Sequence, residues 1–343
     1  MEELGGMRID SIAIYPAPPR SSVTAADRPL TLRSRFLQDG ELAFRTVAAL
    51  LKARKHFAVL HAQQPHLQSV AAVFASRVLG KRSVLTLHLR VPGSAHPLRR
   101  WVDAIVKRLS LSLPSEVVAV SPFVAESFGR PDIEVVENGV DVRVFHPSAT
   151  ARERIREGLG LQDELVYVFS GRWSRHKGVD LLVRAMESWA LRDRKCRVLI
   201  LGDRATDEPD LSRDLGNPMN DNRLIVVGLV DDVAAYLAAG DVFVLPSRFE
   251  GMPLSLLEAM ATGLPVLASD IPVHRMLVER SGCGWMFRSG DAEDLARVMA
   301  EILDQGVPAG WTQRARDAAI RYNSLELSAS KYVDLYARIL SAA

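Results

Sequence analysis

Short apolar, β-rich runs alternate with helix-period segments along this chain, and that alternation restricts the fold more than any single residue does. Arg8–Tyr15, Phe57–His61, Ser83–His88, Glu116–Val120 and Ile133–Val136 read as strands, with Leu37–Ala53 and Leu67–Leu79 helical in period. Strands separated by helices imply parallel pairing, because a parallel connection needs a long crossover. After a polar segment around Asn138–Arg156 the rhythm restarts, at Leu165–Phe169, Arg197–Leu201, Arg223–Val227, Asp241–Leu245 and Pro265–Ala268. Two successive series predict an α/β protein of two doubly wound, parallel-sheet, Rossmann-like domains. The expected domains are residues 1–147 and 148–323, with a final helix in 324–343 able to pack back on the first. A chain of 343 residues, 48% hydrophobic, is long enough for two cores. Ligands of such sheets bind outside the carboxyl ends of the strands, so the expected site is a cleft between facing domains.

Composition excludes several classes. The two cysteines, Cys196 and Cys283, lack Cys or His neighbours at ligand spacing, which argues against a zinc site or a disulfide scaffold. The acidic N-terminus has no apolar stretch of the secretory kind, and no run approaches the ~20 residues of a membrane span. The expectation is a soluble, cytoplasmic protein, in contact with the inner face of a membrane if with any. The net charge of +2 hides an asymmetry: residues 1–147 carry 19 Lys and Arg against 13 Asp and Glu. Eight basic residues and one acid, Asp103, lie between Arg77 and Arg108. That sign favours an anionic partner or a solvated basic face.

Two segments carry candidate chemistry. In Ser170-Gly-Arg-Trp-Ser-Arg-His-Lys-Gly-Val-Asp180, Gly171 permits a tight strand exit, and Arg172 and Lys177 stand on a strand-to-helix loop. Two cations beside a helix N-terminus suit a diphosphate: the side chains supply charge and the free backbone N–H groups supply donors. In the second, Pro246 to Pro265, Glu250 lies on a loop and Pro253 opens a helix that stops at Gly263. Glu258 then projects from that helix among Leu256, Leu257, Ala259 and Met260, where a carboxylate is costly to bury without hydrogen bonds. Ribose hydroxyls would satisfy it; solvent or an arginine would do so equally.

Together, Gly171-Arg-x4-Lys-Gly178, the lead-in Pro246-Ser-x-x-Glu-Gly-x-Pro253 and the Glu250-x7-Glu258 spacing resemble the retaining glycosyltransferases of family 4, group 1, which have the GT-B fold. Asn138-Gly-Val-Asp141, with Phe145 and Pro147, is similar to that family's interdomain motif, and Leu224–Gly228 to its base-flanking segment. The resemblance implies that Arg172 and Lys177 bind the donor diphosphate and stabilise the leaving nucleotide. They would replace a divalent metal, so no metal and no cofactor is expected. It implies Glu258 on the ribose, Glu250 on the transferred sugar, and Gly251, Met252, Pro253 and Leu254 lining sugar and phosphate. Gly171 and Gly202 would lie close to the donor, Val227, Gly228 and Leu229 would border the base, and His88 would face the transferred sugar. The implied donor is a UDP-sugar first and GDP-mannose second.

Two positions depart from that pattern. The loop after the first strand, Pro16–Ser22, has no glycine pair, and Gly5-Gly6 precedes the strand. The usual Gly-x-Gly becomes Gly202-Asp-Arg204. The acceptor is unspecified, with an anionic or lipid-linked one compatible with the basic stretch. Residues 97–113 form a basic amphipathic pattern with Trp101, read either as an ordinary helix or as peripheral membrane contact. A GT-B nucleotide-sugar epimerase and a non-catalytic nucleotide-sugar-binding partner are the alternatives. Nucleic acid is not expected, since no recognition module accompanies the charge.

Overall fold

The apolar runs of the first series pair as parallel strands. In the computed structural model, which describes residues 3–4, 7–8, 32–89, 97–203 and 221–342, β3 (Val59–Gln63), β4 (Arg82–Leu87), β5 (Glu116–Ala119) and β6 (Glu134–Val135) form a sheet in that order. Helices α1 (Leu32–Ala53), α2 (Leu67–Val78), α3 (Pro97–Ser112) and α4 (Pro122–Ser127) alternate with them. At the start of the chain, β1 (Glu3–Leu4) and β2 (Met7–Arg8) pair antiparallel. Arg8 therefore belongs to that ribbon. Residues 9–15 of the expected first strand, the loop Pro16–Ser22 and Gly5-Gly6 lie outside the described residues.

The second series forms a six-stranded parallel sheet. Its strands are β7 (Leu165–Ser170), β8 (Cys196–Leu201), β9 (Leu224–Gly228), β10 (Val242–Leu245), β11 (Val266–Ser269) and β12 (Gly284–Phe287), in the order β12-β11-β10-β7-β8-β9. Its helices are α5 (Ala149–Gly158), α6 (Val179–Glu187), α7 (Val233–Ala238), α8 (Leu254–Ala261), α9 (Pro272–Ser281), α10 (Ala292–Gln305) and α11 (Trp311–Asn323). Strands β7, β10 and β11 are almost wholly buried, as a sheet covered on both faces requires. The order reverses between β7 and β10, so the loops leaving these two strands flank the crevice where doubly wound sheets bind ligands. Strand β12 is absent from the sequence expectation. It has only four residues and begins with a glycine, which hides its period.

Contacts divide the chain into Met1–Glu137 with Ala329–Ala343, and Asn138–Ser328. The division therefore falls ten residues before the expected limit at Pro147, for a physical reason. Asn138 Nδ2 donates to Met252 O at 2.9 Å, and Val140 N to Asn323 O at 2.8 Å. Arg316 donates to the carbonyls of Phe145, Val142 (2.7 Å) and Ala261 (2.6 Å). The interdomain motif is thus stapled into the second unit. The last helix, α12 (Leu325–Ser341), starts in the second unit and continues into the first. There Leu335 and Ile339 join Val84, Val118 and Val136 in one buried cluster.

Candidate functional site

The two motif loops leave adjacent strands, since Val242 and Phe243 pair with Tyr167 and Val168. Their contact demands a glycine at 178: its φ is +73°, and a Cβ there would stand 1.9 Å from Pro246 O. Arg248 then crosses from the second loop to the first. Its guanidinium forms two hydrogen bonds, of 2.8 and 2.7 Å, with the Asp180 carboxylate, which is only 1% exposed. His176 stacks on Phe249 with ring centroids 4.1 Å apart, and its Nε2 donates to Phe249 O at 2.6 Å. Burial holds the His176 imidazole below its ordinary pKa against the opposing pull of Glu250, so it is neutral.

These ties bring Lys177 and Glu250 together. Lys177 Nζ donates to Glu250 Oε1 at 2.7 Å, and Ser247 Oγ donates to the same oxygen at 2.8 Å. The Glu250 side chain is 7% exposed. Arg172 is exposed and has no hydrogen-bond or ion-pair partner among the described residues. Glu258 is half-buried on α8, and its carboxylate likewise has no such partner. Burial pushes its pKa up, and the charge of Lys177 pulls it down. The neighbouring Gly251, Met252 and Pro253 are buried and Leu254 is exposed, at the point where α8 presents its first backbone N–H groups.

Three strand ends close the other side of the loop. Gly171 N donates to Leu201 O at 3.1 Å, and Gly202 N to Gly228 O at 2.7 Å. Gly202 has φ +111°, and a Cβ there would lie 2.2 Å from Gly171 O, so this site too accepts only glycine. Val227 and Gly228 end β9, and Leu229 beyond them is 77% exposed. Arg204 lies outside the described residues.

The second unit thus carries every expected donor-side residue except His88, which belongs to the first. His88 follows β4, and its Nε2 lies 2.5 Å from Gln63 Oε1 at the end of β3. Burial lowers its pKa, so it too is neutral. Sequence reasoning missed Asp180, Ser247, Arg248 and Gln63. Asp180 and Arg248 stood inside the quoted motifs, and a charge pair on two clustered loops was the available signal. Among the described residues no group of three or more His, Cys, Asp or Glu is placed to hold a metal ion.

The family model described as Glycosyl transferases group 1 matches residues 164–305, and that described as Glycosyltransferase Family 4 matches residues 3–144. The chain is 30% identical over 210 residues to UDP-Gal:alpha-D-GlcNAc-diphosphoundecaprenol alpha-1,3-galactosyltransferase of Escherichia coli, covering 60% of this chain and 54% of that protein. It is 25% identical over 318 residues to sulfoquinovosyl transferase SQD2 of Arabidopsis thaliana, covering 88% and 58%. It therefore spans a little over half the length of these two relatives. The crystal structure of Anabaena Alr3699/HepE in complex with UDP-glucose superposes with a TM-score of 0.75 at 22% identity, covering 87% of this chain and 83% of that one. At that identity the likeness is one of fold.

Proposed function

Because the chain belongs to the family 4, group 1 glycosyltransferases and has their GT-B architecture, we propose that it moves a sugar from a nucleotide-sugar donor to a hydroxyl acceptor, with retention and without a metal ion. The observation that carries this reading is the unpartnered, half-buried Glu258 carboxylate, within electrostatic reach of Lys177 at the sheet's switch point. A carboxylate kept there calls for hydrogen-bond donors, and ribose supplies two hydroxyls.

In this reading Arg172 and Lys177 take the diphosphate and stabilise the charge that develops as it leaves. Glu250 accepts from hydroxyls of the transferred sugar. The backbone of Gly251–Leu254 lines sugar and phosphate, Gly171 and Gly202 let the donor approach, and Val227, Gly228 and Leu229 border the base. His88 is assigned to the transferred sugar by the family resemblance alone. Retention follows if the acceptor attacks the face the diphosphate leaves, with a phosphate oxygen taking its proton. A UDP-sugar is the first choice of donor: the E. coli relative is named for UDP-Gal, and HepE was solved with UDP-glucose. GDP-mannose is the second.

A thermal-shift panel of UDP, GDP, ADP and dTDP with their common sugars, in EDTA, tests the donor assignment. At 100 times its Kd a ligand adds about 2.7 kcal/mol, a readable shift. A shift with one nucleotide supports the reading; no shift with any would overturn it. Lys177→Ala is expected to lower turnover about 100-fold, and near-normal turnover would remove its role.

To α3 we assign a membrane contact. Trp101 is 65% exposed, and Ile105 and Leu109 follow on the same stripe at four-residue spacing, beside exposed Arg108. No described helix is long and apolar enough to cross a membrane. An exposed apolar stripe with adjacent positive charge fits the surface of an anionic bilayer, where a lipid-linked acceptor would reside. Pelleting with vesicles containing phosphatidylglycerol, lost in Trp101→Ala, is the expected outcome; equal pelleting of both proteins would refute the role of this stripe.

A further inference from the structure

Beneath Glu250 runs a chain of buried hydroxyl and imidazole groups that the donor-site roles leave unused. Glu250 Oε1 is doubly occupied, by Lys177 Nζ and Ser247 Oγ. Among the described residues no hydrogen bond reaches Oε2; His176 Nε2 stands 4.0 Å from it and already donates to Phe249 O. Oε2 is therefore the oxygen left to accept from a ligand.

Ser247 is itself held from below. Its carbonyl accepts Ser269 Oγ, from the end of β11, at 2.5 Å. The backbone ladder between β10 and β11 ends at Leu245 and Ala268, so this bond continues the tie where the ladder has stopped. Next to Ser269 is His274 in the first turn of α9, with no exposed surface. Its Nδ1 lies 3.1 Å from both Ser269 Oγ and Ser269 O. The Ser269 hydroxyl proton is directed to Ser247 O, so Nδ1 carries a proton and donates to Ser269. That leaves Nε2 as a bare lone pair, buried and without a partner among the described residues. Burying an imidazole with an orphaned nitrogen is costly, and an apolar side chain would fill the space without that cost. Its ordinary packing value does not account for it. What His274 does supply is a rigid donor three hydrogen bonds below the Glu250 carboxylate.

Resting on the donor-site reading above, we propose that Ser247, Ser269 and His274 are positioning residues. They hold the Glu250 carboxylate in one rotation, presenting Oε2 to the transferred sugar, and so help to set which sugar is accepted. A fixed acceptor discriminates hydroxyl positions better than a rotating one, because no ordering cost is left to binding.

The test is calorimetric binding of UDP and UDP-glucose, with GDP and GDP-mannose run alongside, together with the rate of donor hydrolysis. Four proteins are compared: the parent, Ser247→Ala, His274→Leu and His274→Asn. The asparagine amide can occupy the Nδ1 position and keep the donor to Ser269. Ser247→Ala and His274→Leu are expected to bind the free diphosphate within about twofold of the parent. They should lose about tenfold in the gain from the attached sugar and in hydrolysis, the size of one charge-assisted hydrogen bond. His274→Asn should restore most of both. A purely structural role would move diphosphate and nucleotide-sugar binding together and would give no such rescue. Unchanged sugar gain and hydrolysis in Ser247→Ala overturn the proposal, as does equal loss in His274→Leu and His274→Asn. If His274→Leu does not fold, Ser247→Ala, which lacks one oxygen, decides alone. A parent that binds neither diphosphate overturns the donor-site reading and this proposal with it.

Discussion

Glu258 shows how a single residue trades stability against binding. Its neighbours Leu256, Leu257, Ala259 and Met260 are all buried, and its own carboxyl is half-buried among them with a raised pKa. A carboxyl whose pKa is raised by folding favours the fold while protonated and loses that contribution as pH rises through the raised value. At neutral pH the ionised group therefore weighs against the ligand-free protein. Glu258→Gln is expected to raise the Tm of the free protein at pH 7 while weakening donor binding by about tenfold, the scale of a hydrogen bond to a charged group. Melting curves with and without UDP read both effects, and a lower Tm without ligand would contradict the electrostatic account. Glu250, Glu258, Arg172 and Lys177 were legible in the sequence because their spacing on two short segments is itself the signal. Ser247 and His274 were not. Their meaning rests on the Ser269–Ser247 bond, which joins two local pairs across 22 residues, and no local pattern announces a neutral buried histidine.

At the scale of elements, the second unit's site is a pair of loops clamped together before any ligand arrives. Gly178 brings backbone against backbone at Pro246, and Arg248 reaches Asp180 across the seam. Gly178→Ala forces a Cβ onto a carbonyl oxygen at a left-handed φ, and is expected to cost more than about 3 kcal/mol. Asp180→Ala leaves the Arg248 guanidinium partly buried without its anion, at about 3 kcal/mol. Denaturant titration measures both, and the informative comparison is Asp180→Ala with Arg248→Met. Removing both charges should recover much of the loss, because the penalty lies in the unpaired group. Apart from β12, the described parallel strands were legible from their apolar runs, within a residue or two. The helix after Lys177 stops at Glu187, where Ser188 turns extended and leaves Trp189 exposed. Helical period alone does not mark such an exit.

Over the whole molecule, the second unit is one stretch of chain, Asn138–Ser328, and the first is not. The sequence break at Pro147 marks where α5 begins, with Ser148 capping it, and not where the chain changes unit. The first unit is completed only by α12, which brings Tyr332 and Tyr336 to His61. Tyr336 Oη lies 2.5 Å from His61 Nδ1, Thr86 Oγ1 lies 2.7 Å from Nε2, and Tyr332 Oη is 3.0 Å from Thr86 Oγ1. Burial, aided by the neighbouring His88, lowers the His61 pKa to about 4, and burial, aided by the charge of Lys177 and opposed by Glu250 and the Ser269 backbone, lowers that of His274 in the second unit to about 4. Each group binds a proton in the unfolded chain near pH 6.5 but resists it in the fold down to about pH 4. The unfolded state thus holds more protons between those values, and stability rises with pH across that window. About 2.5 pKa units correspond to about 3 kcal/mol per histidine, lost as pH falls from 6.5 to 4. Melting temperatures recorded from pH 7 to pH 4 should fall in both units. His61→Gln should flatten the profile of the first unit alone, and His274→Asn that of the second. Hydrogen exchange resolved by segment separates the two, and an acid profile unchanged by either substitution would place the proton uptake on other groups.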